Sequence, residues 1–177
     1  MFGALAAGAD PHAQHVAVAG QVDPESDVDG PVGDLPIADL DVDRGSPPHP
    51  QNFGQSRDGA PFAYTIGLTE HGHPEFVIAG LRPTISHALL NDMAARVCDH
   101  HAQFHHGQHV TDLLDGYDAI LIYGPITREL YPGTACGRYR QDQVRLRQIV
   151  WPDPNGCYPW DCGYQFPKDT QPTLGRP

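Results

Sequence analysis

Acidic and chain-breaking residues are concentrated in the first 58 positions of this 177-residue chain, which limits where a core can form. Those positions hold ten acidic residues and two basic ones, so they contribute −8 of the net charge of −11. They also hold seven glycines and seven prolines, with Phe2 and Phe53 as their only aromatic residues. So little apolar surface does not offset the conformational entropy that folding costs. We therefore predict a disordered acidic segment over residues 1–58 and one globular domain over residues 59–177. Within the acidic segment, the alternation over residues 39–43 is compatible with one short edge strand.

The acidic charge argues against two kinds of partner. A nucleic-acid-binding domain needs a basic face that neutralises phosphates, and anionic membrane surfaces repel an acidic protein. No apolar run approaches the ~20 residues that span a bilayer, and the first ten residues lack the basic residue that opens a signal peptide. The four cysteines show no C-x-x-C spacing and are interpreted as free thiols of a reducing compartment. We therefore predict a cytoplasmic protein that binds an unknown protein or small ligand, with no nucleic acid and no membrane.

From residue 62 onward the sequence alternates between strand and helix patterns. Phe62, Tyr64 and Ile66 share one face of the first predicted strand. Strands are predicted over residues 62–68, 75–79, 117–123 and 144–151. Helices are predicted over residues 83–97 and, interrupted by Pro132-Gly133, over residues 127–131. This alternation predicts an α+β or α/β domain, with a small mixed sheet and about two helices in two layers.

A histidine-rich run follows the first predicted helix. If that helix continues past Val97, then Cys98, His101 and His105 fall on one helix face at i, i+3 and i+7. Thiolate and imidazole are good zinc ligands, and three of them plus water would form a catalytic arrangement. Gly107 breaks the helix and the spacing fits no standard zinc motif, so the alternative is a solvated helix end. No cofactor is therefore predicted, and zinc or another transition metal remains the alternative at these three residues.

A second cluster lies at the turn before the second predicted strand. His73 and Glu75, with His71 nearby, are candidates for a general acid–base pair or for the edge of a metal site. The alternative for Glu75 is structural: its carboxylate would accept backbone N–H bonds at the turn or pair with an arginine such as Arg82.

Two tryptophans flanked by prolines form the third cluster. Trp151 precedes Pro152-Asp153, and Trp160 stands between Pro159 and Asp161. Together with Tyr64, these rings would form a rigid aromatic surface, and Asp153 and Asp161 would bind a cation or a polar ligand beside it. The alternative is that the tryptophans cover the core while the aspartates cap turns.

Several common catalytic motifs are missing from the sequence. It has no phosphate-binding loop of the form G-x-x-x-x-G-K-[ST], no dinucleotide fingerprint and no G-x-S-x-G nucleophile elbow. Ser86 is the one serine of the predicted domain, and its neighbour His87 points elsewhere on the helix. No nucleophile–base pair is therefore readable from the sequence.

Two distant segments resemble a known family. Residues 61–68 (PFAYTIGL) with 73–75 (HPE), and residues 150–153 (VWPD) with 159–161 (PWD), are similar to a bacterial domain of unknown function numbered 4262. The resemblance covers residues 59–174, about two thirds of the chain, and implies no activity. Members have a strand-forming segment just before the first motif. Here residues 46–50 contain three prolines, so either the acidic segment replaces that strand or the sheet lacks it.

Two hypotheses follow. The first is a non-enzymatic binding module of regulatory or immunity type, whose acidic charge favours a basic partner. The segment at residues 64–75 also resembles, over that stretch alone, the suppressor-of-fused-like domains that neutralise toxins. The second is a metal-dependent or acid–base hydrolase. It would use His71, His73, Glu75 or the histidine-rich run, together with Asp153 or Asp161. We favour the binding module because the sequence contains no complete set of catalytic or ligand residues.

Overall fold

One strand of the sheet comes from residues 17–20, and its other described strands come from residues 62–150. A computed structural model describes residues 60–177 and, before them, the backbone of Ala17–Gly20. The strands are β1 (Ala17–Gly20), β2 (Phe62–Ile66), β3 (Glu75–Ala79), β4 (Gln108–Leu114), β5 (Tyr117–Gly124) and β6 (Leu146–Val150). The helices are α1 (Pro83–Cys98) and α2 (Gly133–Tyr139), and a short 3-10 helix covers Leu68–His71.

The strand order is β1-β2-β3-β6-β5-β4. Among the described strands, β3 and β6 pair in parallel, and α1 with the β4–β5 hairpin forms the long connection that parallel neighbours need. The other neighbouring strands pair antiparallel. Residues 60–177 therefore contain a five-stranded mixed sheet and two helices. This confirms the predicted α+β class.

Helix α1 covers one face of the sheet. Pro83 occupies the first helical turn, and Leu90, Met93, Ala94 and Val97 recur at the spacing of one helix face. These side chains pack against residues of β3, β5 and β6 that point to the same side. The core of this α1 face includes Phe76, Ile78, Ala119, Leu121, Ile149 and Trp151.

The opposite face is covered by α2 and by the C-terminal part of the chain. Leu130, Ala135 and Tyr139 pack there on Tyr64, and Leu174 joins the same cluster. A Cβ atom at Gly124 of β5 would collide with the backbone oxygen of Leu174, so this close approach requires glycine.

Two glutamine side chains attach the C-terminal segment to the sheet. The amide of Gln148 donates to the oxygen of Pro172 (2.7 Å) and accepts from the nitrogen of Leu174 (2.7 Å). In the opposite direction, the side chain of Gln171 in the C-terminal segment binds the backbone of Trp151. It accepts from the Trp151 nitrogen (3.0 Å) and donates to the Trp151 oxygen (2.9 Å). Each buried side-chain amide thereby satisfies one backbone N–H and one backbone C=O that are not paired in the sheet.

The structure differs from the predicted elements in two places. Strand β4 was not predicted, because its sequence QHVTDLL has one apolar face only, although Asp115-Gly116 after it is a strong hairpin signal. The helix predicted over residues 127–131 is wrong: helix α2 begins after Pro132, which stands at its N-cap.

Most of the acidic segment, including the possible strand over residues 39–43, lies outside the described residues. Its described part, β1, pairs antiparallel with the outer edge of β2. The missing strand before the first motif is thus supplied from within residues 1–58.

None of the helices in the described part of the chain is long enough and apolar enough to cross a membrane.

Candidate functional site

Glu75 begins β3 and is fully buried. Its Oε2 accepts hydrogen bonds from Oγ1 of Thr65 (2.7 Å) and from the nitrogen of Leu68 (3.3 Å). Its Oε1 accepts from the nitrogens of Gly67 (3.1 Å) and Thr69 (2.9 Å). All four donors belong to β2 or to the connection that follows it, so the carboxylate fixes the shape of this connection. A carboxylate whose acceptor sites are occupied in this way is poorly suited to take a proton from a substrate.

Within the part of the chain that the structure describes, no acid–base pair is assembled around Glu75. His73 lies two residues before it, half-buried, and no hydrogen bond joins the two side chains. His71 ends the 3-10 helix and is exposed. The structure therefore places the predicted cluster at one turn without the contact that proton transfer would require.

Asp153 is also buried, and it organises the loop after β6. Its Oδ1 accepts from the nitrogens of Asn155 and Cys157 (both 2.9 Å), and its Oδ2 accepts from the nitrogen of Gln165 (2.8 Å). Because β3 and β6 are parallel and Glu75 pairs with Leu146 at the start of β6, Asp153 lies beyond the opposite end of the strand. The two candidate catalytic carboxylates thus lie at opposite ends of the β3–β6 strand pair.

Trp151 and Tyr64 are core residues. Trp151 is completely buried, and its Nε1 donates to the oxygen of Ala79 (2.8 Å) at the end of β3. The hydroxyl of Tyr64 accepts from the nitrogen of Thr134 (3.1 Å) at the start of α2. Neither ring is available to form the aromatic surface predicted with Trp160.

Trp160 instead stacks on Tyr158, a residue that sequence reasoning did not select. Both rings are half-buried, with centroids 5.3 Å apart and planes inclined by 9°. The Tyr158 hydroxyl donates to the oxygen of Asp118 (2.8 Å), and the Tyr158 nitrogen donates to Oδ2 of the exposed Asp161 (2.8 Å). His109 lies edge-on to Tyr158 and its Nδ1 is 3.2 Å from Oδ2 of Asp118. We call these five residues the aromatic–acidic patch.

Burial and the nearby carboxylates both act on the Tyr158 hydroxyl of this patch. Burial raises the pKa of Tyr158 to about 12, and the negative charges of Asp118 and Asp161 act in the same direction. The Tyr158 hydroxyl therefore stays protonated throughout the physiological pH range.

The histidine-rich run does not form the predicted helix face. Helix α1 ends at Cys98, and His101 adopts a left-handed backbone conformation (φ 53°), so Cys98, His101 and His105 leave the helical register. Among residues 60–177 no group of three or more His, Cys, Asp or Glu side chains is arranged to hold a metal ion. The shared face depended on a continuation of the helix past Val97, and this continuation does not occur because α1 ends at Cys98, the first of the three residues.

The most unusual charged residue is Arg147, the second residue of β6. It is 5% exposed, and its guanidinium carbon lies 4.5 Å from the ring centroid of Tyr123 and 5.5 Å from those of Phe76 and Phe104. Its Nη2 donates to the oxygen of Phe104 (3.2 Å), while its buried Nε has no hydrogen-bond partner among the described residues. No carboxylate within the described residues forms an ion pair with it. We call Arg147 and these three rings the arginine cage.

The arginine cage contains a charge that no carboxylate of residues 60–177 neutralises. Burial lowers the pKa of Arg147 to about 10, which still leaves the guanidinium charged at neutral pH. Removing an ion from water costs several kcal/mol even after the protein relaxes, whereas a desolvated cation–π contact contributes about 2 kcal/mol. The aromatic rings therefore offset part of the cost, and the charge has no anionic partner among residues 60–177.

Sequence reasoning missed Arg147 and Tyr158. The signal for Arg147 was a charged residue inside the loosely alternating strand predicted over residues 144–151. Cross-strand pairing with Phe76 and Tyr123 then forms the cage, and pairing of that kind is not written in the local sequence.

A family model described as a domain of unknown function (DUF4262) matches residues 49–165. The match includes both segments on which the resemblance rests, and it begins and ends earlier than the expected residues 59–174. The comparisons with curated proteins and with solved structures returned no match. Because the matched residues cover more than half of the sequence, the chain belongs to the DUF4262 family of domains of unknown function.

Proposed function

We propose that this protein is a non-enzymatic binding module that recognises a basic partner protein through the aromatic–acidic patch. The observation that supports this most is the stacked pair Tyr158–Trp160, which is partly exposed and bordered by the carboxylates of Asp118 and Asp161. Tryptophan and tyrosine are the residues most enriched where interfaces derive their binding energy.

The chemistry of the patch favours an arginine or lysine side chain of the partner. Such a cation would stack on the face of Trp160 and approach the carboxylate of Asp161. The net charge of −11 would steer a basic protein toward the chain over longer distances. An immunity-type or regulatory role, in which a basic protein is neutralised by tight binding, agrees with both features.

The patch is held in its binding geometry before any partner arrives. Hydrogen bonds from the hydroxyl and the nitrogen of Tyr158 fix its ring, and the inner sides of both rings pack on Ile120, Ile122 and Val150. Side chains that are already ordered lose little entropy on binding.

The hydrolase alternative has less support. The oxygens of Glu75 and Asp153 are occupied by protein donors, and these residues lie at opposite ends of the β3–β6 strand pair.

The four cysteines are free, which supports a reducing compartment and hence a cytoplasmic protein.

The binding proposal is tested with the full chain immobilised and exposed to a lysate of its source cells. A candidate partner is then purified, and its affinity is measured by isothermal titration calorimetry for the wild type and for Trp160→Ala. We expect at least a 30-fold loss of affinity, the size associated with truncating an interface tryptophan. Asp161→Asn, which keeps the acceptor for the Tyr158 nitrogen, is expected to weaken binding and reduce its salt dependence.

The matched control is Tyr131→Ala, which removes an aromatic ring that is 41% exposed elsewhere on the surface. Its affinity should equal that of the wild type. A partner that binds Trp160→Ala as tightly as the wild type would contradict the proposal.

We also propose that the chain functions without a resident transition metal. Protein dialysed without chelator is expected to contain well under one zinc, iron or manganese ion per chain by plasma mass spectrometry. If a stoichiometric metal is found and is lost in His101→Ala or His105→Ala, the metal-dependent hydrolase becomes the better explanation.

A further inference from the structure

We propose that the arginine cage is a binding site for a small carboxylate ligand, which supplies the counter-charge of Arg147. The site is independent of the aromatic–acidic patch. Side chains alternate along β5 and β6, so Tyr123 and Arg147 point to the α1 face, whereas Ile122 and Val150 point to the face that bears Tyr158 and Trp160. Failure of this proposal therefore leaves the proposed function untouched.

The first argument is the unused hydrogen-bonding capacity of Arg147. A guanidinium has five N–H donors, and among the described residues only one hydrogen bond from this side chain is formed, to the oxygen of Phe104. The residue is 5% exposed, so water cannot surround the remaining donors as it would at the surface. A carboxylate matches the planar fork of donors and binds it through charge-assisted bonds.

The second argument is that the position does not require an arginine for packing. Phe76, Phe104 and Tyr123 surround the side chain, and an apolar residue such as methionine would fill this space without burying a charge. A buried charge that its surroundings compensate only in part breaks the local packing rule, and such exceptions are typical of functional sites.

The third argument is access. Phe104 and Tyr123 are half-buried, so the exposed parts of these two rings are where the cage meets solvent. The ring of His106 lies against Tyr123, with ring centroids 6.1 Å apart. Its Nδ1 accepts from the nitrogen of Tyr123 (3.0 Å), and because a backbone amide can only donate, the proton of a neutral His106 must lie on Nε2.

The cage also limits the charge and the shape of the ligand. It contains one cation, and the hydroxyl of Tyr123 is already used in a bond to the oxygen of Phe104 (2.7 Å). One guanidinium matches one carboxylate better than the doubly charged phosphate of a monoester. The three aromatic rings favour a carboxylate attached to a flat apolar group, which would extend over Phe104 or Tyr123.

The test uses benzoate as the probe, titrated into the full-length, isotope-labelled wild-type chain and followed by two-dimensional ¹H–¹⁵N NMR. We expect saturable shifts of the Arg147 Nε–H resonance and of the Phe104 and Tyr123 amides. Chloride at the same ionic strength should not produce them. Inorganic phosphate should bind at least tenfold more weakly than benzoate.

The variant arm compares Arg147→Met with Arg128→Met, which removes an exposed arginine. Arg147→Met should lose saturable benzoate binding while its melting temperature stays equal or rises, and Arg128→Met should bind as the wild type does. Arg147→Lys, which keeps the charge without the fork, should bind at least tenfold more weakly. If wild-type shifts do not saturate, if chloride reproduces them, or if Arg147→Met binds equally well, the proposal is overturned. Because the Nε–H resonance is measured on the wild type, the test does not depend on the variants folding.

Discussion

Replacing Glu75 with alanine is expected to lower the free energy of unfolding by about 4 kcal/mol, one of the largest effects of any single substitution in this chain. The change removes the acceptor of three backbone N–H groups and one hydroxyl, all grouped at the connection after β2. Each buried donor left without a partner costs about 1–3 kcal/mol, and water entering the vacated space recovers part of that sum. The measurement is urea denaturation followed by circular dichroism.

Two further variants separate the hydrogen-bonding role of Glu75 from its charge and from its size. Glu75→Gln keeps the volume but directs an NH₂ group toward backbone N–H donors, so we expect a loss of about 2 kcal/mol. Glu129→Ala, an exposed position, should change stability by less than about 0.5 kcal/mol. A Glu75→Ala protein as stable as the wild type would show that these bonds do not stabilise the fold, and Glu75 would again be a candidate catalytic residue.

Trp151→Ala is expected to destabilise the protein by about 3–5 kcal/mol, the range for deleting a fully buried tryptophan. The ring packs against Phe166 at a centroid distance of 5.6 Å and donates to the oxygen of Ala79. Truncation therefore leaves a cavity on the α1 face and an unsatisfied carbonyl. Thermal and urea unfolding of the full chain would measure the loss.

The second tryptophan of the chain provides the matched comparison. Trp160→Ala removes a ring of the same size that is half-buried, so about 1–2 kcal/mol is expected, mainly from the stacking with Tyr158. In the binding assay we expect the opposite order of effects. Trp160→Ala should lower the affinity for the partner directly, whereas Trp151→Ala should lower it only by reducing the folded fraction. Equal destabilisation by both substitutions would contradict the difference in burial on which the proposed function depends.

Local pattern was sufficient to predict several elements. Strand β3 and strand β5 have apolar runs that are buried on both faces, and α1 has a proline in its first turn followed by apolar residues at helical spacing. Strand β4 was not predicted because an exposed edge strand carries polar residues on one side. Helix α2 was not predicted because Pro132, which was interpreted as an interruption, is the N-cap of the helix.

Site residues were harder to predict because similar sequences have different surroundings. Trp151-Pro152-Asp153 and Trp160-Asp161 look equivalent in the sequence, yet the first tryptophan is in the core and the second is at the surface. The difference arises because Trp151 directly follows a central strand, whereas Trp160 lies in the turns beyond it. Sequence spacing does not record which residues face solvent.

The sequence by itself determined the family, the α+β class and the absence of familiar catalytic motifs. These properties depend on composition and on the order of residues along the chain. The tertiary structure alone decided that Glu75 and Asp153 are buried turn organisers, that Tyr158 accompanies Trp160, and that three rings surround Arg147. Those facts depend on cross-strand register and on the route of the C-terminal segment, which are set by packing between residues far apart in the sequence.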